Sequence, residues 1–322
     1  MAGMFRLLVL FIVLCAVAPL RAADRPIEDA FIHLEAGEFD QAIAVVTPLA
    51  DAGDSDAQHL LGYLYENGLG VEKDLQRAVE LYVAAGSAGQ ADAQFSLGEL
   101  SLMGEGVVKS AETAAGWYKL AGQQGHALAL LRLGVMHMTG EGVALDKREA
   151  MTLFEQAAAL GDGEAMRNLA IAYLSGDGVV KDQGKAAEWF EKAAATGDPV
   201  SAYNLGLMLQ SGALGVPDID AAATHMRAAA EAGFAPAMTG LGLLIHRGAQ
   251  AAEVPADWFE RAAKTGDPQG RFLYAIALSE GDGREQDNAS ARILLDDLLA
   301  DPSVAGDLRQ QAVKLRRQLP RD

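Results

Sequence analysis

The sequence predicts an all-α fold, a solenoid of stacked helix–turn–helix units. Three observations carry this. Gly53, Gly89, Gly125, Gly161, Gly197 and Gly233 recur every 36 residues, and Gly266 follows after 33. Eight residues beyond most of them stands a leucine (Leu61, Leu97, Leu133, Leu169, Leu205, Leu241), followed by a small residue such as Gly62, Gly134 or Ala170. Seven residues before each glycine runs a second apolar column: Val46, Tyr82, Tyr118, Phe154, Phe190, Met226 and Phe259. Self-similarity at such a period is the signature of a repeat architecture. The composition agrees. Half of the residues are apolar but only 6% are aromatic, and abundant alanine favours closely packed helices over sheet.

The elements follow in chain order. Met1 and Arg6 open the sequence, and Leu7 to Ala18 is an apolar run too short to span a bilayer. With Leu20-Arg21-Ala22 behind it, this reads as a secretory signal, residues 1–22, cleaved after Ala22. Cys15, the one cysteine, falls inside it behind Leu14 rather than a small residue, so a lipid anchor is not expected. The mature chain then has no thiol and no disulfide. A chain of this length can fold without them, because its core is large. The remainder, 23–322, is expected to be a single solenoid domain.

Residues 27–53 read as a short N-terminal hairpin turning at "EAGEFDQA". Residues 54–302 hold about seven repeats. In the fourth, Asp162 caps helix A, where Ala165, Leu169 and Tyr173 share a face. The turn "SGDGVVKD" (Ser175 to Asp182) leads to helix B, capped by Asp182, with Ala186, Trp189, Phe190 and Ala193 on one face. Gly197 ends it. The fifth copy departs ("SGALGVPD", His225-Met226), and the sixth lacks the glycine loop ("RGAQAAEVPAD"), so both are expected to stack less regularly. Residues 303–319 read as a charged closing helix.

The fourth copy, Ala165, Leu169, Ala170, Tyr173, Gly176, Gly178, Val179, Asp182, Ala186, Trp189, Phe190, Ala193, Ala194 and Gly197, resembles the Sel1-like repeat family, relatives of the tetratricopeptide repeat. The second copy shows the same pattern from Ala93 to Gly125. The likeness runs from about Asp54 to Ala300. It implies a right-handed α/α superhelix with a tetratricopeptide-like N-terminal hairpin, and a protein-binding scaffold or adaptor.

No chemistry is legible in the usual motifs. The glycine loops place Leu69, Glu105, Glu141 and Asp177 at one position, which a calcium ligand set would not tolerate. They also lack the Lys-Ser/Thr of a phosphate loop. They read as turns, with Asp177 solvent-exposed. Neither H-E-x-x-H nor G-x-S-x-G occurs. His137 reads as a packed residue and His126 as a substitute cap. No catalytic group, cofactor or metal is expected. The net charge of −18, which signal cleavage makes more negative, disfavours nucleic acid and anionic membranes. Stable membrane insertion after cleavage is not expected.

What remains is a surface. On helix A, the positions of residues 59, 63 and 66 lie opposite the core-facing ones. By resemblance these line the concave face. The columns contain His59, Phe95, Glu99, Leu131, Arg167, Tyr203 and Phe272, which form the candidate groove for a partner protein or peptide. The expected function is a non-enzymatic scaffold, periplasmic or secreted. By resemblance it would act in envelope or exopolysaccharide assembly or in sensor-kinase control. The alternative is a cell-wall-directed enzyme, a weak β-lactamase or penicillin-binding protein, as among cysteine-rich relatives. This chain lacks their disulfides.

Overall fold

The structure, a computed structural model, describes residues 26–304 and 306–320; the expected signal segment lies outside them. Among the described residues there are seventeen helices and no strand. The chain divides into two units, the first ending at Ala93 and the second starting at Gln94.

The first unit holds α1 (Pro26–Glu35), α2 (Phe39–Asp51), α3 (Ser55–Asn67), α4 (Leu75–Ser87) and the start of α5 (Ala91–Met103). α1 and α2 form a hairpin, turned by Gly37 at φ 75°. Their Ala30, Val46 and Ala50 share a core with Leu60, Leu61 and Leu64 of α3.

The second unit continues with α6 (Ala111–Gln123), α7 (Ala127–Thr139), α8 (Lys147–Ala159), α9 (Gly163–Ser175), α10 (Gln183–Ala195) and α11 (Pro199–Ser211). Then follow α12 (Ile219–Glu231), α13 (Ala235–His246), α14 (Pro255–Lys264), α15 (Pro268–Glu280), α16 (Asn288–Ala300) and the closing helix α17 (Gly306–Gln318). Odd-numbered helices from α3 to α15 are helix A of a repeat and even-numbered ones from α4 to α16 are helix B. The fourth repeat is built as its residues dictate. Asp162 accepts from the Ala165 amide at 2.7 Å, and Asp182 from the Lys185 amide at 3.0 Å. Each carboxylate satisfies an amide that the first helical turn leaves free. Gly176, left-handed at φ 86°, closes α9.

Helix A and helix B lock through the small residue after the leucine. A Cβ on Gly134 would sit 2.6 Å from the Phe154 ring, so only glycine lets that ring lie flat on α7. Phe154, Tyr118, Leu131, Met136 and Leu169 belong to one buried core that runs through successive repeats. A second core centres on Met226, Leu241, Leu244 and Trp258. A third joins Phe272, Leu295 and Leu298 to Ala312 and Leu319, so α17 covers the last repeat.

The departing repeats are held by different chemistry. In the sixth, α14 shortens to ten residues and neither helix has a side-chain cap. Its loop is tied to α12 instead. Asp220 accepts from the Gln250 amide at 2.8 Å, and Arg227 grips Glu253 with two bonds of 2.7 and 3.1 Å. In the seventh, Arg284 takes the place of the loop valine and reaches Asp257 and Glu260 at 2.5 and 2.8 Å.

One position carries a removable cost. Ser201 stands where most repeats have alanine, is fully buried, and its hydroxyl has no partner among the described residues. Ser201→Ala is expected to stabilise the protein by about 1 kcal/mol, because it removes a desolvated hydroxyl and keeps the volume. Urea denaturation checks it; an unchanged or lower midpoint would contradict the expectation.

Candidate partner-binding surface

Helix A offers three columns away from its core-facing side, and the structure separates them. The first column forms the joints between repeats. Each of four of its residues grips the residue that caps the next helix A. Phe95 stacks on His126, ring centres 4.6 Å apart. Arg167 donates to Asp198 at 2.6 Å and also pairs with Glu164 at 3.1 Å. Tyr203 meets Phe234 edge-on at 5.3 Å. Thr239 donates to Asp267 at 2.9 Å. The chemistry matches pair by pair: an aromatic partner for an aromatic cap, a donor for an aspartate.

These contacts place the candidate residues. Leu131 and Phe272 are only 1% and 6% exposed, so they cannot form part of an open groove. The physical reason is that a helix A face wide enough for three columns also abuts the neighbouring helix A. Phe95, Arg167 and Tyr203 are half-buried and engaged in the joints. Glu99 accepts from the Tyr118 hydroxyl at 2.5 Å and from Arg132 at 3.1 Å. Burial first, and then that hydrogen bond, push the Tyr118 hydroxyl well above its usual range, so it stays a neutral donor. In the first unit, the half-buried His59 ring lies 5.5 Å from that of Tyr82, whose hydroxyl donates to Glu66 at 2.6 Å.

His126 is the cap expected of it: its Nδ1 accepts from the Ala129 amide at 3.2 Å. His137 is half-buried beside the Ala144 carbonyl. Asp177 is not simply solvated. It takes Lys147 of the preceding helix B at 2.5 Å and Ser175 at 2.9 Å. Those hydrogen bonds, Lys147 first, hold its carboxyl below the usual range. The tie therefore contributes above the ordinary carboxylate range and is lost as pH falls through the lowered value.

The second column is open in the third to fifth repeats. Val135, Ile171 and Leu207 lie on α7, α9 and α11 at 39%, 47% and 39% exposure. Beside them a depression of about 460 Å³ is lined by Leu174, Asn204, Leu207, Met208, Gln210 and Ser211. None of these side chains is charged. Among the described residues, no three His, Cys, Asp or Glu side chains converge to hold a metal, and no helix is long and apolar enough to cross a membrane.

Fold and surface together define a helical-hairpin repeat protein with an open apolar face on its middle repeats. Residues 55–90, 91–126, 127–162, 163–198, 199–234, 235–267 and 268–296 each match the Sel1 repeat, and the chain belongs to the Sel1 repeat family. Proteins of this family are generally protein-interaction scaffolds. No curated protein matches the sequence. Among solved structures, a Sel1 repeat protein from Oxalobacter formigenes is 29% identical, over 74% of this chain and 99% of that one, with a TM-score of 0.67. A protective antigen of uropathogenic Escherichia coli is 21% identical, over 91% of this chain and 83% of that one, with a TM-score of 0.57.

Proposed function

We propose that this chain is a non-enzymatic scaffold acting outside the cytoplasm, in the periplasm or beyond. It holds a partner protein against the open helix-A column of its middle repeats. The observation that carries the reading is the exposure of Val135, Ile171 and Leu207 at one-repeat spacing, while the adjoining column is closed by joints. Aliphatic side chains on consecutive rigid helices need only their rotamers fixed when a partner arrives, so most of the gain from burying them goes to affinity. The apolar run at residues 7–18 supports export. Assembly of envelope or exopolysaccharide machinery, or control of a sensor kinase, are the contexts proposed.

The test must avoid the joints, because alanine at Phe95, Arg167 or Tyr203 would loosen the stack itself. Ile171→Ser with Leu207→Ser touches the open column alone. A partner is first captured by crosslinking in envelope extract and purified. The double variant is expected to bind it at least about tenfold more weakly, two half-exposed aliphatic anchors being removed, with thermal stability near wild type. Unchanged affinity would sink the surface, and accumulation of the full-length precursor in the cytoplasm would sink the location.

A further inference from the structure

A groove on the helix-B side of the second unit belongs to no surface described above. It lies between α6 and α8, the B helices of the second and third repeats, against α7, and has a volume of about 610 Å³. The buried Ala115, Leu130, Leu133 and Leu153 line it, with the exposed Glu112, Lys119, Asp146 and Glu149 around them. Two departures from the repeat pattern open it. Gly116 stands where other copies of helix B carry Glu80, Thr152, Glu188 and Thr224, and a Cβ there would meet nothing within 4 Å. Leu153 stands where others carry Trp117, Trp189 and Trp258.

The neighbouring repeats show what fills such a slot. Trp189 packs against the core that holds Ala150 and Phe154 of the preceding repeat. Trp258, 4% exposed, shares a core with Ala222 and Met226 of α12. A cation from the residue three places on covers each indole. Lys192 Nζ lies 4.1 Å from the Trp189 ring centre, and the Arg261 guanidinium 4.1 Å from that of Trp258. In the third repeat the same two positions are Leu153 and Gln156, which both line the groove. The ring and its cation are therefore both missing there. The charges agree with this. Three carboxylates face one lysine around the groove, and Glu112 and Glu149 form no ion pair among the described residues. A basic group is attracted to them, whereas a second copy of this chain, at −18, is repelled. An aromatic ring beside a cation is also the chemistry that most often anchors protein interfaces.

We propose that this groove receives a helix of a partner protein that carries an aromatic residue with a basic residue three places after it. The partner's ring takes the space that tryptophan fills in neighbouring repeats, and its cation meets Glu112 and Glu149. The groove shares no residue with the open helix-A column, so its test is independent of that surface. Isothermal titration calorimetry of the mature chain uses an alanine-rich helical peptide of about 17 residues with Trp and Arg at this spacing. The peptide is expected to bind with a submillimolar Kd. Peptides with Trp replaced by Ala, or Arg by Glu, are expected to bind at least about tenfold more weakly. Leu153→Trp/Gln156→Lys fills the groove from within, and Glu112→Gln/Glu149→Gln discharges its rim. Each should weaken binding at least about tenfold, with the fold confirmed by circular dichroism. The glutamates are exposed, so the second variant decides the matter even where the first disturbs packing. A wild type that binds none of the three peptides, or all three alike, would overturn the proposal, as would binding indifferent to the loss of both glutamates. Tryptamine binding as tightly as the peptide would assign the groove to a small aromatic amine and overturn it equally.

Discussion

Truncating Phe154 to alanine is expected to destabilise the second unit by about 3–5 kcal/mol, the range for removing a buried aromatic ring. The ring is 2% exposed and lies on Gly134, a position with no Cβ to follow it into the space it leaves. Neighbouring side chains cannot collapse far, because Tyr118 and Leu169 are themselves fully buried parts of the same core. In a repeat array, stability is roughly the sum of each repeat and its interfaces with its neighbours. A loss at the third repeat therefore acts on the second and fourth as well. Urea unfolding followed by circular dichroism should show a lower midpoint and a shallower slope, since the array then melts in segments. Fluorescence of Trp117 and Trp189, on either side of the damaged repeat, should report separate transitions. A cost below about 1 kcal/mol would mean that the ring is not a keystone of the core.

Most of that core was legible from spacing. Leu133-Gly134 and Phe154 belong to columns of constant phase, and a column that keeps a glycine inside a helix announces a close neighbour. The caps were legible for the same reason: Asp162 and Asp182 stand three and four residues before the apolar faces that begin at Ala165 and Ala186. The surface was only partly legible. Helical geometry places residues 59, 63 and 66 on one side of helix A, but it does not say which of them meets the next repeat. That depends on how the hairpins lean, which no single repeat encodes. A signal did exist in the 31-residue offset. Phe95 with His126, Arg167 with Asp198 and Tyr203 with Phe234 are chemically matched pairs, and the match marks the first column as a joint. With that column closed, Val135, Ile171 and Leu207 were left as the open one. The Lys147–Asp177 tie had no such mark, because it joins a loop to a helix of the preceding repeat through two long-range exposed side chains.

Replacing Gly178 by alanine is expected to cost about 2–4 kcal/mol, although the loop that holds it is on the surface. Two effects add. The residue is at φ 75°, where a Cβ strains the backbone by about 1–2 kcal/mol. The same Cβ would press on the Lys147 carbonyl group, its carbon only 2.8 Å away, and overpacking of this kind costs about 1–3 kcal/mol. Helix backbone cannot step aside as a side-chain tip can, so the loop must lift. Gly197 supplies the comparison. It is also left-handed, at φ 93°, but a Cβ there meets nothing within 4 Å, so Gly197→Ala should show the backbone strain alone, about 1–2 kcal/mol. Equal losses for the two variants would mean that the glycines serve only the turn. A larger loss at Gly178 would show that the second glycine of the loop is a contact point between repeats. Lifting the loop would also part Asp177 from Lys147.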